Sequence, residues 1–185
     1  RLVEQLKSPF VPIAKATGPD QGPVILVVID TLRWDYAVRM RSFARLTAMG
    51  ATWERAMSTA SWTIPSMGSI FTGELPGVHG AGSIPGNEDA FSPIDPQVAY
   101  LPQALDQQGW ATAGYVGNPI LAHSLGFSRG FDAYSTPVDR PAHPLPLLGR
   151  VGPRIYDARW LTGHGTRWMA NAPERGWFLW LQLFE

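Results

Sequence analysis

The stretch that most restricts the fold is VILVVID, residues 24–30. Six apolar, mostly β-branched residues in a row fit a strand buried on both faces of a parallel sheet, and they are too few to cross a bilayer. The run ends on a carboxylate, Asp30. The C-terminal ends of parallel strands are where open α/β sheets place their ligands. Asp30 therefore reads either as a ligand for a divalent cation or as a cap for the turn DTLRWD, and its position alone leaves both open. Asp35 reads as a cap or a surface residue.

The pattern after Asp30 alternates. Residues 37–49 place Met40, Phe43, Ala44 and Thr47 on one helical face, with Gly50 as a stop, and ATWERAM (51–57) reads as a short strand. Pro65 suits a first helical turn, in a helix running to about Thr72 and ended by Gly73. Glu74 to Pro96 is rich in Gly and Pro and reads as loop. Tyr100–Gln108 reads as a helix closed by Gly109, and ATAGYVG (111–117) as a strand. Residues 118–153 read mostly as loop, 154–172 as a helix despite Gly163 and Gly165, and 177–184 as a strand. Strands alternating with helices predict an α/β domain with a mainly parallel sheet. The polar, Pro-bearing residues 1–22 read as a lead-in or linker.

Composition removes several classes of function. At 185 residues and 45% apolar content the chain can bury one sizeable core. Fifteen basic residues balance fifteen acidic ones, so no global field attracts nucleic acid or an anionic membrane. The eight Trp do not interleave with basic residues as in a nucleic-acid binder. The absence of Cys rules out thiolate nucleophiles and Cys-ligated zinc. A G-x-S-x-G elbow, a P-loop, H-E-x-x-H and G-x-G-x-x-G are all missing. The chain opens at Arg1 and stops at Glu185 directly after an apolar run, so it is expected to be a piece of a longer protein.

The chemistry concentrates in TASWTIPSMGSIFTG, residues 59–73. Thr63 lies at a helix entrance, beside unpaired N–H groups and the positive end of the helix dipole, a setting suited to a tetrahedral oxyanion. A Thr hydroxyl is a poor nucleophile at neutral pH without a base or a metal. Asp30 as ligand and Thr63 as bridging nucleophile form one coherent arrangement; a plain helix cap is the competing reading of Thr63. Ser58, Thr59, Ser61, Ser66 and Ser69 are neighbouring hydroxyls that spacing does not rank. His79 in PGVHG reads as a loop residue or as support for the site, and Asn118, directly after a strand, as a site-lining residue or a turn. His123 and His143 fall in loops without partners at ligand spacing, and His164 between two glycines reads as structural.

In this order, VILVVIDTLRWDY, ASWTIPSMGSIFTGELPGVHG, GWATAGYVGN, LGFSRGFDAYS and GWFLWLQLFE resemble the N-terminal half of the sulfatase branch of the alkaline phosphatase superfamily. The resemblance covers about residue 23 to the end, so that 23–185 would be the N-terminal part of a sulfatase-like catalytic domain. It implies a three-layer α/β/α sandwich and a metal-dependent hydrolase of sulfate or phosphate esters. It implies Asp30 and Thr63 as metal-binding residues, Thr63 as nucleophile, and a divalent ion such as Zn, Mn or Ca. The implied substrate is a small-molecule, glycan or lipid ester. The implied compartment is periplasmic, extracellular or membrane-associated, with any membrane tether outside this segment.

Three departures shape that expectation. Sulfatases proper carry formylglycine made within Cys/Ser-x-Pro-x-Arg, whereas this chain reads Thr63-Ile64-Pro65-Ser66-Met67. Thr31 stands where sulfatases often have a second Asp. The family's remaining metal ligands belong to the C-terminal half, and Glu185 stands where relatives begin Asp-Pro-His. A Thr nucleophile with a single Asp resembles the family's phosphodiesterases, phosphatases and phosphoglycerol or phosphoethanolamine transferases. The alternatives to a hydrolase are thus a membrane-tethered transferase of that kind, or a non-catalytic domain that retains the fold.

Overall fold

A computed structural model describes residues 21–139, 157–174 and 176–184. The expected linker at 1–22 lies almost wholly outside these residues, as do His143 and the Pro-rich segment around it.

Strand β1 (Val24–Ile29) leads into a short helix α1 (Trp34–Ala37) and then α2 (Arg41–Met49). Helix α3 (Thr63–Thr72) and the single turn α4 (Pro76–His79) precede a hairpin of β2 (Gly82–Ile84) and β3 (Asn87–Ser92). Helix α5 (Leu101–Gln107), β4 (Ala111–Val116), the short β5 (Ala133–Ser135), α6 (Ala158–Met169) and β6 (Trp177–Leu183) complete the described chain. Four strands form one parallel sheet in the order β1-β6-β4-β5, and β2-β3 form a separate antiparallel pair.

Alternation along the strands divides the core in two. Even-numbered residues of β1 and β6, namely Leu26, Val28, Phe178 and Trp180, meet Ile64, Met67 and Phe71 of α3 and Leu105 of α5. Odd-numbered residues of β4 and β6, namely Ala111, Ala113, Tyr115, Leu179 and Leu181, meet Leu161 and Trp168 of α6. Helices thus cover both faces of the sheet, the three-layer architecture expected from the sequence. Gly165 permits the close approach of α6, since a Cβ there would stand 2.9 Å from Leu181 Cδ2. Gly130 combines a φ of +77° with a position where a Cβ would overlap the Gln103 backbone, which explains the glycine of GFSRGFD.

Four local expectations need correction. Among the described residues strand β1 is not buried on both faces: it lies at the edge of the described sheet, with Ile25 49% and Val27 51% exposed. An unbroken apolar run shows that both faces are apolar, not that both are covered. The 37–49 helix is broken at Val38–Met40, and residues 51–57 form no strand. The 74–96 loop contains α4 and the β2-β3 hairpin, hidden because β2 has three residues and β3 opens on Asn-Glu-Asp. Helix α3 begins at Thr63, so Pro65 lies within the first turn as the sequence predicts, where its missing N–H breaks no bond. Its end at Thr72 with Gly73 left-handed at φ +73° agrees with the sequence.

Candidate active site

The pairing register and the alternation of side chains bring the site together. Val28 lies opposite Gln182, and Gln182 opposite Val116. Two residues beyond Val28 and Val116, Asp30 and Asn118 keep the same parity and fall at the C-terminal ends of their strands, on the α3 side. The backbone continues the ladder there, with Asp30 N–H donating to Leu183 O at 2.9 Å and Gly117 N–H to Gln182 O at 2.8 Å. Helix α3 packs its apolar face on the same side of the sheet and so points its first residue, Thr63, at this edge.

Asp30 is the focus. Its Oδ2 accepts from Thr63 Oγ1, Asn118 Nδ2 and Gln182 Nε2, each at 3.1 Å. Its Oδ1 has no hydrogen-bond partner among the described residues. Asp30 and Thr63 are half-buried, whereas Asn118 and Gln182 are 3% and 0% exposed. The residue after Asp30 is strained: Thr31 is left-handed at φ +56°, an outlier for a β-branched side chain, and its hydroxyl donates to Asp30 O at 2.7 Å.

The structure sets Thr63 apart from the neighbouring hydroxyls that spacing does not rank. Thr63 alone among them bonds Asp30. The Ser58 and Ser66 hydroxyls lie 2.9 Å apart and 2.7 and 3.0 Å from Ala60 O, and their two protons are shared among these contacts, which ties down the loop before α3. Ser69 bonds His79 Nε2 at 3.1 Å inside the core.

His79 lies away from Asp30 and acts on α3 from behind. It is fully buried, and its Nδ1 accepts from Ala81 N–H at 3.1 Å, so the ring proton is on Nε2, facing Pro65 O at 3.2 Å and Ser69. The ring lies against Gly68, where a Cβ would come within 2.6 Å of it. Burial lowers the His79 pKa below the usual 6.5, outweighing the backbone carbonyl of Pro65, which favours the cation. His164 stacks on Trp160 at 3.7 Å between ring centroids, and His123 packs edge-on to Tyr134; neither joins the site.

Gln182 was missed in the sequence. The signal was present: one amide in the apolar run WFLWLQL, in phase with Phe178 and Trp180 and near the strand's C-terminal end.

Among the described residues no three His, Cys, Asp or Glu side chains converge. The donors that do lie together are oxygens, those of the Asp30 carboxylate and the Thr63 hydroxyl, with Asp30 Oδ1 unpartnered among the described residues. This set fits part of the shell of an oxygen-seeking dication.

A carboxylate and a helix-N-terminal hydroxyl side by side at the strand ends put the site where three-layer α/β proteins bind their ligands. The family model described as Sulfatase matches residues 23–184. The chain belongs to the sulfatase family, a group of sulfatase-like hydrolases and transferases that generally use a divalent metal. Its mainly parallel sheet and the small antiparallel pair agree with part of an alkaline-phosphatase-like α/β fold. No curated protein matches the chain.

Proposed function

We propose that this chain carries the nucleophile of a metal-dependent ester hydrolase, with Thr63 attacking a phosphoester or a sulfate ester. The observation that carries the reading is the 3.1 Å hydrogen bond between Thr63 Oγ1, at the first residue of α3, and the Asp30 carboxylate. A bound dication would lower the pKa of the Thr63 hydroxyl and offset the negative charge gathering on the ester oxygens.

The protein's own groups supply orientation. Asp30 Oδ2 holds the Thr63 proton to one side, leaving the oxygen's lone pairs for the substrate. The open N-terminus of α3 attracts the anionic group. Thr63 Oγ1 forms a bond to the phosphorus or sulfur, the bond from that atom to the ester's alcohol breaks, and the alcohol leaves with the proton given up by Thr63. Water then releases the acid and restores the hydroxyl. A second alcohol in place of water would make the same site a transferase.

Thr63 within Thr-Ile-Pro-Ser-Met supports a phosphoester over formylglycine-type sulfate chemistry, because neither the maturable Cys or Ser nor the supporting Arg is present. The test is a panel of aryl sulfates, phosphomonoesters and phosphodiesters assayed on the full-length protein with added dications, then with chelator. Phosphoester turnover that the chelator removes and Thr63→Ala abolishes is the expected outcome. Unimpaired turnover by Thr63→Ala would sink the assignment.

A further inference from the structure

Strand β6 runs through the middle of the sheet, and its one polar side chain, Gln182, is fully buried. A carboxylate only accepts hydrogen bonds, so the amide nitrogen faces Asp30 Oδ2 at 3.1 Å and the amide oxygen points elsewhere. That oxygen, Oε1, is buried and has no donor among the described residues. A half-paired buried amide costs stability that an apolar side chain of the same volume would avoid. Asn118 differs: its Nδ2 donates to the same Asp30 oxygen, and its Oδ1 accepts from Ile120 N–H at 3.2 Å, so both ends are used.

What the buried Gln182 amide accomplishes is visible in how Asp30 is divided. Thr63, Asn118 and Gln182 all bond Oδ2, and none of the described residues bonds Oδ1. We propose that Gln182 is a positioning residue: with Asn118 it fixes the Asp30 carboxylate from two neighbouring strands, so that Oδ1 alone is presented to a divalent cation. The proposal rests on the reading of Asp30 as a metal ligand. Losing a group that orients a ligand typically weakens metal binding about 10–100-fold.

The test is calorimetric titration of the metal-free full-length protein with Mn²⁺, with the thermal midpoint of each metal-free form as a second readout. Gln182→Met keeps the volume and removes both the donor and the unpaired oxygen. It is expected to bind Mn²⁺ about 10–100-fold more weakly, with a midpoint unchanged or raised. Gln182→His restores an N–H donor and is expected to recover most of the affinity, and it decides the matter if the Met variant does not fold. Wild-type affinity in Gln182→Met, with Asp30→Asn unable to bind, overturns the positioning role and leaves the Asp30 reading standing. A lowered midpoint at unchanged affinity likewise makes Gln182 structural. If the wild type does not bind, or if Asp30→Asn binds as tightly as the wild type, the metal-ligand reading fails and the proposal with it.

Discussion

Thr31 holds the least favourable backbone of the described chain, directly after the carboxylate that organises the site. A left-handed φ of +56° costs a β-branched residue about 1–2 kcal/mol, whereas Asn visits that region readily. Thr31→Asn should therefore stabilise the protein by about 1 kcal/mol in denaturant unfolding; a loss of stability would show that the Thr31 hydroxyl bond to Asp30 O outweighs the strain. Asp30 and Thr63 were legible as residues, since one ends an apolar strand and the other opens a Pro-bearing helix. Their contact spans 33 positions of sequence; the chemistry of a carboxylate ligand and a bridging hydroxyl suggested the pairing, and the family resemblance supported it. Gln182, 152 positions from Asp30, stayed hidden because nothing in a strand's own pattern says which neighbour it will pair with.

At the scale of elements, the first turn of α3 is held by His79 at the end of α4. The imidazole binds Pro65 O, two residues from Thr63, and takes the Ala81 N–H, so it works only when neutral. Its folded pKa is below the ordinary 6.5, so the unfolded chain binds the proton first as pH falls. His79 stabilisation is complete above about pH 6.5 and is lost progressively as pH falls from there toward the lowered pKa. In thermal unfolding between about pH 8 and 5, His79→Gln should flatten the pH dependence while lowering the midpoint at neutral pH. An unchanged slope would remove His79 from this role. The sequence suggested support for the site or a loop residue, and the geometry makes it a brace for the helix that bears Thr63.

At the scale of the whole molecule, the described residues form a layered sheet with one flank that they leave incompletely covered. Helix and strand types were legible where periodic runs were long, as in α3, α5, β4 and β6. Sheet order was not, because β1 and β6 are separated by most of the chain yet pair directly. That order puts β1 at the edge among the described strands, with Ile25, Val27 and Ile29 turned outward. Val27→Lys should change the stability of the 185-residue chain by less than about 0.5 kcal/mol and reduce its self-association, since exposed apolar edges pair with one another. A loss of several times that value would mean that this face is covered. The central claim, that Thr63 is the reacting oxygen, is tested most directly by quenching the full-length protein during turnover and mapping the covalent adduct by mass spectrometry. The expected result is a phosphoryl or sulfo group on Thr63, absent from Thr63→Ala; an adduct on any other side chain would contradict it.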